Sequence, residues 1–131
     1  MGGLSRKSVK IKEMIAAGTD PLILDAGDLF FSTKNIDITN KNSEVFRAKA
    51  ILEGYEKVGC DAINVGHYEV LNGLSFLKSM TESTNIPFIS SNLRDPKSGD
   101  LIFSPYIIFE RANLKIGVVG ASDLIPDSTR N

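Results

Sequence analysis

The chain has 131 residues, 42% of them hydrophobic, and its fifteen basic and sixteen acidic side chains leave a formal net charge of −1. That length and apolar content suit one compact domain with its own core. The balanced charge, without a run of Lys or Arg, gives no electrostatic basis for a nucleic acid or membrane partner.

Residues 3–17 carry Leu4, Ser8, Ile11 and Ile15 at steps of four, three and four, with lysines between and Gly18 as a stop, which predicts an amphipathic helix. Asp20-Pro21 reads as a turn, and the apolar run Leu22 to Leu24 as a buried strand of the parallel kind. Residues 32–42 are polar and read as a surface loop. Ser43 is then expected to cap a helix whose Ala48, Ile51, Leu52, Tyr55 and Val58 face one way and which Gly59 closes. Cys60, the single cysteine, cannot form an internal disulfide; at the entrance to the next strand it reads as a small packing residue, not a nucleophile.

A second strand is predicted over Ala62 to Val65, and a third helix from about Leu74 to Thr84 with Leu74, Leu77 and Met80 inward. Phe88-Ile89-Ser90 reads as a third strand and residues 94–100 as a loop. Tyr106 to Phe109 is expected to pair with Lys115 to Val119 as a hairpin around Ala112-Asn113. Strands alternating with helices argue for a layered α/β sheet in a single domain, 1–131. No apolar stretch approaches a membrane span, and the first twenty residues lack the hydrophobic centre of a signal peptide, so the compartment is not encoded in these residues.

Two segments share one design. Leu22-Ile23-Leu24-Asp25-Ala26-Gly27-Asp28 and Ala62-Ile63-Asn64-Val65-Gly66-His67-Tyr68-Glu69 each run an apolar strand into a glycine followed by residues able to bind metal. Potential ligands thereby sit past the carboxyl ends of two strands, the usual place for a site in an open α/β sheet.

With Gly2-Gly3-Leu4-Ser5-Arg6, Ser91-Asn92-Leu93 and Lys115-Ile116-Gly117-Val118-Val119-Gly120, these segments make five blocks in the order and spacing of one family. The chain resembles the catalytic domain of the 5′-nucleotidase and UDP-sugar hydrolase branch of the calcineurin-like metallophosphoesterases. The resemblance implies a partial four-layer α/β/β/α sandwich, with a mixed sheet and flanking helices. It also implies a site in which two divalent cations (Mn, Zn or Fe) clamp a phosphate ester and generate a hydroxide. The bridging aspartate of the family would be Asp28, whose two oxygens can serve two cations; the other reading of Asp28 is a loop cap. Many relatives of that branch work outside the cytoplasm, so the resemblance implies a periplasmic or extracellular parent protein, while the chain itself leaves the compartment unknown.

The second block departs from the family, which has Gly-Asn-His and an acid there. His67 stands where the asparagine ligand is expected and Tyr68 where the histidine that stabilises the phosphoryl transition state is expected. His67 can still coordinate zinc or iron, or serve as a loop histidine bonded to a carbonyl or to Glu69, whereas Tyr68 offers a phenolic hydrogen bond in a doubtful catalytic role. Glu69 and Asp25 read as residues supporting the ligands. The family's opening Asp-x-His block and its later histidine blocks have no counterpart, against the roughly four to six protein ligands a two-metal site needs. The chain is therefore expected to be a domain fragment that lacks the first strand and the C-terminal metal-binding half, to be inactive alone and short of metal, and to self-associate through exposed strand edges. A diverged, non-catalytic scaffold is the alternative. A small anion-binding module using backbone amides is a third reading, without the longer glycine signatures that usually accompany one.

Overall fold

The computed structural model describes residues 3–123, so Gly2 of the first block lies outside them. Helix α1 (Leu4–Ala16) is followed by β1 (Leu24–Asp25), α2 (Lys41–Val58), β2 (Ala62–Asn64), a 3-10 turn (Tyr68–Val70), α3 (Gly73–Glu82) and β3 (Phe88–Ile89). The hairpin β4 (Tyr106–Arg111) and β5 (Leu114–Val119) completes the order. Strands β1, β2 and β3 form a parallel sheet in that order, with Leu24 beside Ala62 and Ile63 beside Phe88. Short parallel strands of this kind need crossover helices, and α2 and α3 supply them.

The core lies between the sheet and its helices. Ile63, Val65, Phe88, Leu52, Leu77 and Met80 are buried there together with Phe30 and Phe31, which anchor the segment after β1. The two rings meet edge to face, with centroids 6.4 Å apart, a geometry aromatic pairs favour. Helix α2 turns this face inward through Ala48, Leu52 and Tyr55 and ends at Gly59, whose φ of 83° is the left-handed stop that the sequence announced. Helix α1 packs on α2 through Leu4 and buries no residue completely. Gly54 makes that contact close, because a Cβ there would lie 2.1 Å from Leu4 Cδ2.

The hairpin is antiparallel with a two-residue turn, and both Ala112 and Asn113 have positive φ (47° and 66°), the sign pattern of a type I′ turn. It is braced to the parallel sheet by Ser91 N–H to Gly120 O (2.7 Å) and Ser90 N–H to Ser104 O (3.1 Å). Beyond it, Asn92 receives the Ser122 N–H and donates to the Ser122 carbonyl, while the Ser122 hydroxyl donates to Val65 O at 2.6 Å. The Ser91-Asn92-Leu93 block thus ties the chain across the carboxyl ends of β2 and β3.

Two local expectations are corrected. Helix α2 begins two residues before Ser43, at Lys41, with Asn40 three residues before Ser43 as its flanking residue; Ser43 lies in the first turn, its hydroxyl donating back to Asn40 O. The strand predicted as buried is reduced to Leu24–Asp25, and Leu24 is 44% exposed. Among the described residues, its side of the sheet is an open groove of about 450 Å³ lined in part by Asn64, Ile89 and Val118.

Candidate functional site

Gly27 and Asp28 follow β1, and both have positive φ, 97° and 60°. A side-chain-bearing residue adopts the left-handed region reluctantly, with aspartate among the more tolerant. The turn is required by a close approach: a Cβ on Gly27 would lie 2.6 Å from Asn64 O, and one on Gly66 would lie 2.5 Å from Asp28 Oδ1. The loops after β1 and β2 are therefore in backbone contact, which explains glycine in both blocks. Asp28 Oδ1 accepts the Tyr68 N–H at 2.9 Å, bringing Asp28 and the His67–Tyr68 pair into one place. The Asp28 side chain is exposed, His67 and Tyr68 are half-buried, and their two rings lie 6.1 Å apart.

Glu69 holds this junction. Its side chain is fully buried. Oε2 accepts the N–H groups of Asp28 (2.8 Å) and Gly66 (2.7 Å), and Oε1 those of Leu29 (2.6 Å) and Phe30 (3.3 Å). Consecutive amides converging on one anion form a nest, here filled from within the protein. Burial pushes the carboxyl up from its ordinary value, and the four amides pull it back. Asp25 supports the turn differently, accepting the Gly27 N–H at 2.9 Å and the Tyr55 hydroxyl at 2.6 Å. Burial, and next the Asp25 carboxylate, raise the Tyr55 phenol well above its usual range. Cys60 is buried as expected, and burial pushes its thiol up to about 11, away from nucleophilic duty.

Three residues that sequence reasoning did not single out complete the arrangement. Arg47 Nη1 donates to the carbonyls of Leu29 and Phe30 at 2.9 and 2.8 Å. The Glu44 carboxylate receives the Ser32 N–H and hydroxyl at 2.7 and 2.6 Å, and the hydroxyl bond, ahead of the amide, lowers its pKa. Asn64 Nδ2 donates to the Ala26 and Ala121 carbonyls. The available signal was phase: Glu44 shares the inward face of α2 with Ala48, Leu52 and Tyr55.

Among the described residues no three His, Cys, Asp or Glu side chains converge on a point that could hold a metal ion. Asp28 offers a carboxylate and His67 an imidazole, one donor short of even an open catalytic zinc site. The described residues alone do not fit a dinuclear centre.

A 5′-nucleotidase of Vibrio parahaemolyticus is 32% identical over 108 residues, which is 82% of this chain and 18% of that protein. This chain is homologous to bacterial 5′-nucleotidases. It spans about a fifth of the length of the relatives it matches. Among solved structures, the sulfate thiohydrolase SoxB of Thermus thermophilus superposes with a TM-score of 0.75 at 25% identity, covering 93% of this chain and 22% of that one. The calcineurin-like phosphoesterase YfkN of Bacillus subtilis follows the same path with a TM-score of 0.68 at 22% identity, over 92% of this chain and 40% of that one. The 5′-nucleotidase homologue thus has part of the calcineurin-like phosphoesterase fold. No protein-family model matches it.

Proposed function

We propose that the chain is one portion of a metal-dependent phosphoric-ester hydrolase of the 5′-nucleotidase type, and that it does not turn over substrate by itself. The observation that carries this reading is the junction of Asp28 with the His67–Tyr68 loop at the carboxyl ends of β1 and β2, in a chain homologous to 5′-nucleotidases. In this reading Asp28 and His67 face the metal site from two adjacent loops, and the remaining ligands belong to other segments of the parent protein. Tyr68 places a phenolic hydroxyl at the mouth of the site, able to donate one hydrogen bond to a phosphoryl oxygen. Glu69 and Asp25 keep the two loops in register. The substrate is a small phosphate ester, a nucleoside monophosphate being the first candidate.

A second reading, a scaffold that has lost hydrolysis, is favoured by His67 and Tyr68 standing where the resemblance calls for asparagine and histidine. Elemental analysis and hydrolysis assays on this chain and on the full-length protein containing it separate the two. The panel comprises p-nitrophenyl phosphate, nucleoside monophosphates and, because SoxB is a sulfate thiohydrolase, a sulfur-linked sulfate ester. The expected result is turnover with added Mn²⁺ or Zn²⁺ only in the full-length protein, abolished by Asp28→Asn and accompanied by loss of metal in His67→Ala. A full-length protein that binds metal without turnover establishes the scaffold, and turnover by the short chain refutes the division of the site.

A further inference from the structure

The backbone over residues 26–32 belongs to neither helix nor strand, yet Phe30 and Phe31 within it are buried. Buried amides and carbonyls outside regular structure need partners from side chains. The partners are arranged by charge. On the N–H edge, Asp28, Leu29 and Phe30 all donate to the Glu69 carboxylate. On the C=O edge, the carbonyls of Leu29 and Phe30 both accept from Arg47 Nη1. An anion on the amide side and a cation on the carbonyl side each align with the peptide dipoles, so the two clamps reinforce one another, and charge-assisted bonds are the stronger kind. Glu44 secures the far end at Ser32, and Tyr55 secures the near end through Asp25.

We infer that Arg47 is a positioning residue for Asp28. It acts through the two carbonyls that follow Asp28, holding the turn in which that aspartate keeps a φ of 60° and its carboxylate stays on the Tyr68 amide. No hydrogen bond joins Arg47 to Asp28 or His67, and its bonded route to the turn is the backbone at Leu29 and Phe30. The inference rests on the reading of Asp28 as a site residue, and it extends that site to α2.

The test compares the whole chain as wild type, Arg47→Met, which keeps the apolar stem, and Arg47→Lys, which keeps the charge and its donors on a shorter side chain without the planar guanidinium. Amide hydrogen exchange by NMR reads the clamp. Protection at Asp28, Leu29 and Phe30 is expected to fall about tenfold or more in Arg47→Met and by less in Arg47→Lys, the loss a charge-assisted bond predicts. The amides of Leu52 and Ile63 are expected to keep theirs. Unchanged protection at residues 28–30, or an equal loss at Leu52 and Ile63, overturns the positioning role. Should Arg47→Met fail to fold by circular dichroism, the same pattern in Arg47→Lys decides. Mn²⁺ line broadening at the Asp28 and Tyr68 amides reads the site: weakening in Arg47→Met with retention in Arg47→Lys supports the role, and equal broadening in all three chains overturns it. Absence of broadening in the wild-type chain agrees with a site that other segments complete, and the exchange pattern alone then decides the clamp.

Discussion

Replacing Glu69 by glutamine changes no heavy-atom count and removes one charge at the centre of the junction. Each carboxylate oxygen serves two amides, Oε1 those of Leu29 and Phe30 and Oε2 those of Asp28 and Gly66. Whichever way the glutamine amide turns, its NH₂ faces two N–H groups, so two of four hydrogen bonds are lost and two donors, one buried and one part-buried, are stranded. Each stranded group costs about 1–3 kcal/mol, and the easier desolvation of a neutral side chain returns part of that. A net loss of about 2–4 kcal/mol follows, large against the roughly 5–15 kcal/mol that holds a typical domain together. At this chain length roughly 3–5 °C of Tm accompany each kcal/mol, so thermal unfolding at pH 7 should drop by about 10 °C. Glu53→Gln on the exposed side of α2 is the control and should leave Tm nearly unchanged. A Glu69→Gln variant melting within about 2 °C of wild type would refute the claim that the carboxylate is the structural hub of the two loops.

Two further predictions concern charge and surface. Glu44 has its carboxyl lowered below 4.5 by the Ser32 hydroxyl and amide, so the folded chain binds that proton less readily than the unfolded one. Its contribution to stability is present above pH 4.5 and is lost as pH falls through the lowered folded value; Glu44→Gln should flatten this acid limb in a Tm-versus-pH series, and an unchanged limb would reject the assignment. The hairpin leaves Tyr106, Ile108, Leu114 and Val119 exposed, and exposed apolar strand surface invites pairing. Light scattering should show association that the double change Ile108→Lys and Val119→Lys reverses, and a clean monomer of the wild type at high concentration would dismiss it.

Most of the architecture was legible because it rests on periodicity and punctuation. Gly59 announces the end of α2, and the apolar-glycine-ligand segments announce β1, β2 and the loops after them. The burial of β1 was not legible, because a run such as Leu22 to Leu24 records a strand that wants both faces covered, whereas the described residues leave Leu24 at one open face. The start of α2 was misplaced because Ser43 satisfies Asn40 O from inside the first turn, so a serine with capping chemistry sits one turn too far along. Asp28, His67, Tyr68 and Glu69 are singled out by the strand-glycine pattern and the family resemblance, and the structure adds that close backbone approach demands the glycines beside them.

Glu44 and Arg47 could not be named that way, because on a helix they look like ordinary solvated charges. Their meaning lies in phase and neighbour together. A charged residue in register with the buried face of a helix, beside a loop that carries two buried phenylalanines and no regular hydrogen bonding, faces backbone groups that have no other partner. Such a loop requires one anion for its amides and one cation for its carbonyls, and the chain supplies Glu69 from the neighbouring loop and Arg47 from α2. The hydrogen bonds that hold the Asp28 turn thus come mainly from outside the segment that contains Asp28, which is why its motif alone, Gly27-Asp28, marks the place of the candidate site without disclosing what holds it there.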